Sequence, residues 1–189
     1  MITLTEGALT FSFPASWAVC KYDDTAFYQR SVIRTGAGLA AVDFALSAGG
    51  LPRRLVLIEA KDFRDHAVAN RYRLHSGELA TEVARKALHT LGALAAGTLS
   101  QPAELRLLLS AIAPAAEVVQ VVLVLEEDAL PSISAAGHLS TANKIVLDSR
   151  LKLRGKLADD LKRKLRPLGF QTTLYDSGSV PVRAGWTVQ

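Results

Sequence analysis

The chain has 189 residues, 49% hydrophobic and 21% charged, which is typical of a folded domain and excludes a disordered or fibrous protein. Its single cysteine, Cys20, excludes an internal disulfide and is compatible with a reducing compartment. The net charge is +4, but residues 144–166 alone carry nine Lys and Arg against three Asp. Such a basic region is either a footprint for a polyanion or a solvated helix face.

The length predicts one domain over residues 1–189. The first residues lack the basic start and continuous apolar run of a signal peptide. The longest apolar stretch, residues 118–125, is too short to span a membrane and is interrupted by Gln120. We therefore expect a soluble cytoplasmic protein without a membrane contact.

The first third of the chain predicts mainly strands. Four short segments have apolar or alternating patterns, at residues 9–13, 17–22, 39–47 and 54–61. A short helix is predicted at residues 25–33, with Asp23 or Asp24 as its N-cap. Gly49 and Gly50 predict a turn that pairs the last two strands as an antiparallel hairpin.

The rest of the chain predicts helices that alternate with strands. Residues 65–75 are polar and are predicted to be irregular. Apolar residues at helical spacing predict a long amphipathic helix over residues 76–96, with Ser76 as N-cap and Gly97 at its end. The later predicted elements are a helix at 103–112, a buried strand at 118–125, a loop at 132–140, a helix at 155–165 and a strand at 170–175. This order predicts an α/β fold with a central mixed sheet flanked by helices.

The stretch RLVLIEAKDFRDH, residues 54–66, ends an apolar strand with a carboxylate and an ammonium. Side chains alternate along a strand, so Glu59 and Lys61 share a face, and Asp43 on the partner strand can converge with them. Two acids in a poorly solvated place repel each other and are costly to ionise. A divalent cation such as Mg²⁺ or Mn²⁺ would resolve both problems, and the lysine could position or activate an attacking water.

Asp43, a hairpin and Glu59-Ala60-Lys61 at the end of an apolar strand resemble the PD-(D/E)xK, or restriction-endonuclease-like, nuclease superfamily. The segments KYDDTAFYQR, AVDFAL, LVLIEAKDFR and VVLVLEE resemble blocks of an uncharacterised bacterial family within it, over most of the chain. Val42 stands where the proline of the name would be. The resemblance implies a restriction-endonuclease-like fold and a metal-dependent nuclease that hydrolyses phosphodiester bonds in nucleic acid, with DNA as the expected substrate.

The resemblance also implies roles for individual residues. The implied ligands of Mg²⁺ or Mn²⁺ are two catalytic carboxylates and one backbone carbonyl, at Asp43, Glu59 and Ala60. Lys61 would be the catalytic lysine. Many members add an acid from the first helix, for which Asp24 is the better match here and Asp23 the next.

Basic residues outside the motif are candidates for binding nucleic-acid phosphates, because arginine forks match phosphate geometry. They follow the motif or lie in the basic region: Arg64, Arg71, Arg73, Lys162 and Arg163. The same residues fit a solvated loop and a solvated helix face equally well. No residue pattern encodes base recognition, so a homodimer or partner proteins of a defence or repair system would supply any specificity.

Two alternatives to the nuclease stay open. Glu59 and Lys61 also fit an ion pair at a strand end, with Asp43 as a local hydrogen-bond acceptor. Alternatively, the chain is a catalytically inactive nucleic-acid- or protein-binding module that keeps the fold, because a fold does not establish an activity. Charged residues on the polar side of the long helix are predicted to form surface ion pairs, although the superfamily sometimes places a helper residue there: Glu82, Arg85, Lys86 and His89.

Overall fold

The computed structural model describes residues 1–48, 53–112, 116–129 and 140–189, with residues 67 and 68 described by their backbone alone. The predicted turn at Gly49 and Gly50 and nearly all of the predicted loop at residues 132–140 lie outside the described residues.

Five strands form a mixed main sheet, in the order β3-β4-β5-β6-β7. In chain order they are β3 (Ala18–Lys21), β4 (Phe44–Ser47), β5 (Arg54–Asp62), β6 (Val118–Glu126) and β7 (Gln171–Tyr175). The first three are antiparallel neighbours, whereas β5, β6 and β7 are parallel. The predicted α/β class, the mixed sheet and the antiparallel hairpin are therefore confirmed.

Three further strands form a small antiparallel sheet, in the order β1-β2-β8. They are β1 (Ile2–Glu6), β2 (Leu9–Phe13) and β8 (Thr187–Val188), of which only β2 was predicted. The sheet packs on the main sheet through aromatic side chains, and the ring centroids of Phe11 and Phe44 lie 4.7 Å apart.

The described residues contain four α-helices among these strands: α1 (Ala67–Ser76), α2 (Glu78–Ser100), α3 (Arg106–Ile112) and α4 (Thr141–Leu165). The prediction of an irregular segment at residues 65–75 is wrong, because α1 occupies most of it. Gly77 joins α1 to α2 with a φ of 79°, a left-handed conformation that glycine adopts without steric cost. Helix α2 continues beyond Gly97, which is no helix end but the place where Leu109 and Phe27 pack closely against the backbone.

Helix α4 begins well before the predicted start at residue 155. Ser140 is its N-cap, and the Ser140 hydroxyl accepts a hydrogen bond from the Asn143 N–H. Residues in its first half, such as Ile145 and Leu151, are exposed although apolar, so this half lacks the amphipathic pattern that would have predicted it. None of the described helices is both long and apolar enough to cross a membrane.

The main sheet separates two apolar cores. Leu55, Leu57 and Ala45 face the helices, whereas Val56 and Ile58 face the small sheet. This alternation follows from the two-residue period of a strand and places every second residue of β5 on the helix side.

The short helical segment between β3 and β4 consists of a π-helical turn, Tyr28–Val32, and a 3₁₀ turn, Ile33–Thr35, near the predicted helix at residues 25–33.

Candidate functional site

The β4–β5 hairpin brings Asp43 and Glu59 together. Phe44 pairs with Ile58, so Asp43, just before β4, stands opposite Glu59 on the helix side of the sheet. Asp43 Oδ2 accepts a hydrogen bond of 2.6 Å from the Ala60 N–H. The two side chains are buried, with relative exposures of 5% for Asp43 and 0% for Glu59. Burial is the main cause that raises the pKa of Asp43 to about 7, and the nearby charge of Glu59 is the second.

Helix α2 fixes the segment that carries Asp43. Thr90 Oγ1 accepts a hydrogen bond of 3.1 Å from the Val42 N–H, and His89 Nδ1 accepts one of 3.1 Å from the Ala40 N–H. These backbone groups therefore bond to side chains of α2 instead of continuing the strand ladder, which explains why β4 is shorter than the predicted strand at residues 39–47. The position of Asp43 depends on both the hairpin and the helix.

Lys61 lies on the same face as Glu59, as the alternation predicts. Lys61 Nζ is 2.8 Å from Glu59 Oε1 and 3.0 Å from Glu82 Oε1. Burial acts to lower the pKa of Lys61, but Glu59 and Glu82 outweigh it, and the pKa lies above its usual range. Arg73 Nη2 lies 2.5 Å from Glu82 Oε2, so Glu82 links the lysine to α1.

The prediction that Glu82 and Lys86 form ion pairs along the surface of the long helix is wrong. Both side chains contact the sheet: Glu82 pairs with Lys61, and Lys86 Nζ lies 2.6 Å from Glu59 Oε1. Lys86 Nζ also lies 4.0 Å from Asp43 Oδ1, so one ammonium contacts both carboxylates. The only sequence signal for this position was its place on the polar side of the helix, which surface lysines share.

Three acids form a second group around Asp43. Carboxylate oxygens of Glu6, Asp23 and Asp43 lie within 4.8 Å of one another. Asp23 Oδ1 is buried without a hydrogen-bond partner in the described residues, and burial, followed by the charge of Asp24, raises the pKa of Asp23 to about 6. Asp24 instead pairs with Lys21, at 2.8 Å, and its side chain is 62% exposed. Asp24 was the better match for an additional metal ligand in the sequence, but Asp23 is the acid that lies beside Asp43. Glu6 was not predicted, because strand β1 was not predicted.

The carboxylates around Asp43 suit a divalent cation. Within the described part of the chain, Glu59 Oε2 is buried and has no hydrogen-bond partner. A buried carboxylate oxygen without a partner carries a desolvation cost that a cation can offset. Carboxylate oxygens are the ligands that Mg²⁺ and Mn²⁺ prefer. Glu6, Asp23 and Asp43 offer three of them close together, and Glu59 stands opposite Asp43 in the hairpin. The donor set therefore fits either ion, although Lys61 and Lys86 already neutralise part of its charge.

The five basic residues predicted to bind phosphate do not form one patch with the acids. Arg64 makes two contacts with Asp62, of 2.8 and 2.5 Å, and Arg163 pairs with Asp160 at 2.7 Å. Arg73 reaches the acidic site only through Glu82 and also lies over the Phe63 ring. Arg71 on α1 and Lys162 on α4 are exposed and have no ion-pair partner among the described residues.

Comparisons of the chain with protein-family models, with curated proteins and with solved structures found no match. The resemblance to restriction-endonuclease-like nucleases therefore stays a prediction.

Proposed function

We propose that the chain is a metal-dependent nuclease of the restriction-endonuclease-like fold, which hydrolyses phosphodiester bonds in nucleic acid, with DNA as the main substrate. The observation that carries the proposal is the pair of buried carboxylates, Asp43 and Glu59, at facing positions of a hairpin with Lys61 on the same face. The order of elements also supports it, because the antiparallel strands β3-β4-β5 lead through α2 to the parallel strand β6.

The groups that would hold Mg²⁺ or Mn²⁺ are Asp43 and its neighbours: Glu59, the carbonyl of Ala60, Asp23 and Glu6. The N–H and C=O of one strand residue point to the same neighbouring strand. Because the Ala60 N–H bonds to Asp43, its carbonyl oxygen also points to the Asp43 side. When bound, the ion would stabilise the negative charge that develops on the phosphate during hydrolysis.

Lys61 is placed to orient the reacting groups. Its ammonium has three N–H donors, of which Glu59 and Glu82 engage two. The third N–H remains to donate to an attacking water or to a phosphate oxygen. A charged donor stabilises developing negative charge most strongly in a site with little water. Glu82, itself held by Arg73, keeps the lysine in place.

The exposed basic residues would hold the nucleic-acid backbone: Arg64, Arg71, Lys162 and Arg163. They carry no base recognition, so a second copy of the chain or partner proteins of a defence or repair system would direct the cleavage. The exposed basic residues of α4 support this part of the proposal, and so does Arg71 of α1, which has no ion-pair partner among the described residues.

The test is cleavage of plasmid, linear duplex and single-stranded oligonucleotides by the purified protein, in Mn²⁺, in Mg²⁺ and in EDTA. We expect metal-dependent cleavage that falls by about 100-fold or more in Lys61→Ala, as when a transition-state donor is lost. Arg106→Ala, at an exposed position of α3 without an ion pair in the described residues, is the matched control. Equal activity of Lys61→Ala and the parent would refute the role of Lys61 and expose a contaminant.

One observation favours the alternative, a catalytically inactive binding module. Lys61 and Lys86 both contact Glu59 Oε1, so the protein neutralises this carboxylate without a metal ion. A binding module would bind nucleic acid equally well with Mn²⁺ and with EDTA, and the binding would weaken steeply with salt. Metal-independent binding together with no cleavage would therefore decide for the alternative.

A further inference from the structure

A cavity of about 360 Å³ lies on the other face of the main sheet from the acidic site. Its floor includes Val56, Gln120 and Thr173, on the side of β5, β6 and β7 that faces the small sheet. Glu59 and Asp43 face the helices, on the opposite side. The cavity is thus separate from the candidate nuclease site, and its volume falls within the usual range for small-molecule pockets, about 300–1,000 Å³.

The floor of the cavity is polar where the rest of that sheet face is apolar. Gln120 and Gln171 pair across β6 and β7, and Val122 pairs with Thr173 next to them. Gln120 is the residue that interrupts the apolar stretch of β6. Its amide nitrogen donates a 3.2 Å hydrogen bond to Thr173 Oγ1, and its amide oxygen accepts none within the described residues. Side-chain amides offer both donors and acceptors, as the edges of nucleic-acid bases do.

Both tryptophans of the chain line the cavity. Trp186 is 5% exposed and packs edge-on against Tyr175, with ring centroids 6.3 Å apart. Trp17 is half-buried, and its ring lies directly on the backbone of Gly185. A Cβ at Gly185 would stand 2.9 Å from the Trp17 ring, and the φ of Gly185 is 77°, so this contact requires glycine. A partly open indole is a surface on which a planar ring can stack.

Two arginines, Arg54 and Arg183, complete the lining. Both side chains are exposed, and within the described residues neither guanidinium has an ion-pair or hydrogen-bond partner. Most other cations near the sheet are paired, as Arg64 is with Asp62 and Arg154 with Glu127. Two unpaired guanidinium groups at one cavity are suited to an anion, and phosphate matches their geometry best.

We propose that this cavity binds one nucleotide unit. The base stacks on Trp17 and bonds along its edge to Gln120 and Gln171, while Arg54 and Arg183 hold the phosphate. The unit can come from a free nucleoside monophosphate or from the 5′-phosphorylated end of a strand, because both present the same base and phosphate. The proposal goes beyond the nuclease and does not depend on it.

The test uses the intrinsic fluorescence of the full chain in EDTA, since both emitting residues line the cavity. Deoxyadenosine monophosphate is titrated alongside deoxyadenosine, inorganic phosphate and a 5′-phosphorylated tetranucleotide, and calorimetry confirms each affinity. We expect the monophosphate to bind at least about 10-fold more tightly than deoxyadenosine or phosphate alone. Arg183→Gln and Arg54→Gln should each weaken it by about 10-fold. Both positions are exposed, so the variants should keep the parent's circular dichroism.

Two matched controls separate this site from general charge and from the nuclease site. Arg106→Gln removes an exposed arginine of α3, and Asp43→Asn changes the acidic site; neither should alter nucleotide affinity. Tighter binding of the tetranucleotide would identify a strand end as the source, and tighter binding of the monophosphate a free nucleotide; each supports the proposal. Equal effects of Arg106→Gln and Arg183→Gln, equal affinity for phosphate and nucleotide, or no binding would overturn it. None of these results depends on whether the protein cleaves DNA.

Discussion

Replacement of Lys86 by Met isolates the contribution of one ammonium to the acidic site. Methionine matches the length and helix propensity of lysine, so α2 is kept. The substitution removes a charge 2.6 Å from Glu59 Oε1 and 4.0 Å from Asp43 Oδ1. Breaking a buried ion pair costs about 3–5 kcal/mol, and because Glu59 keeps Lys61 we expect roughly half of that, about 2 kcal/mol. In a chain of this length, that loss lowers the Tm by roughly 4–8 °C.

The same substitution should increase the response to metal. Lys86 neutralises the carboxylates that would hold Mn²⁺, so its removal should raise the affinity of the site for the ion. Saturation at 100 times the Kd stabilises a folded protein by about 2.7 kcal/mol. We therefore expect Mn²⁺ to stabilise Lys86→Met more than the parent. The measurement is urea unfolding followed by circular dichroism, in EDTA and in Mn²⁺, with the slope m compared between the variants.

Lys152→Met, at an exposed position of α4, is the control and should leave both quantities unchanged. An ordinary surface substitution changes the free energy of unfolding by no more than about 0.5 kcal/mol. If Lys86→Met in EDTA stays within that range of the parent, the ammonium does not stabilise the buried carboxylates. If Mn²⁺ stabilises neither protein, the carboxylates do not bind the ion. These two failures are independent, because one concerns the ion pair and the other the metal.

Two further substitutions test contacts of α2 and α4. Thr90→Val removes the acceptor of the buried Val42 N–H, and we expect a loss of about 1–3 kcal/mol in urea unfolding together with weaker stabilisation by Mn²⁺. For Asp160→Asn we expect a pH-dependent effect, because hydrogen bonding to Lys156, with the nearby charge of Arg163, lowers the pKa of Asp160 below its usual value. A lowered pKa stabilises the folded state above the unfolded pKa, about 3.9, and the stabilisation is lost as the pH falls. The stability difference between parent and Asp160→Asn, measured by urea unfolding, should thus be constant near neutral pH and shrink steadily as the pH falls below about 4.

Each of these substitutions has a neighbour as its control. Thr98→Val removes an exposed hydroxyl of α2 that bonds only within its own helix, and it should cost less than Thr90→Val. Asp159→Asn alters an exposed carboxylate beside Asp160 and should cost less stability at neutral pH than Asp160→Asn. A Thr90→Val protein as stable as Thr98→Val, or a stability gap for Asp160→Asn that persists at acid pH, would contradict the contacts described.

The centre of the site could be predicted because local rules determine it. The two-residue period of strands predicts that Glu59 and Lys61 share one face and that Asp43 on the partner strand can converge with them, and the hairpin pairing brings Asp43 opposite Glu59. The apolar runs of β5 and β6 likewise predicted buried strands in the right places. In each case the structure could be predicted from a pattern within one strand or from a contact between two strands that are adjacent in the chain.

The surroundings of the site could not be predicted because they depend on distant pairings. Lys86 meets Glu59 only after α2 packs on the sheet, and nothing in the helix sequence distinguishes it from a surface lysine. Asp23 and Asp24 are adjacent, and only the path of the chain after β3 decides which of them lies beside Asp43. Glu6 lies at the end of β1, and the pairing of β1 with β2 was not predicted.

The pairing of β2 with β8 has a consequence for the order in which the protein folds. Phe11 pairs with Val188, almost the whole chain apart, so this ladder closes the largest loop of the fold. The entropy of closing a loop grows with its length, and contacts of long sequence separation form slowly. Local structure such as the β4–β5 hairpin and α2 can form before that closure, whereas Trp186, next to β8, reaches its buried position only with it. Tryptophan emission in refolding should therefore lag behind the far-ultraviolet dichroism of the helices.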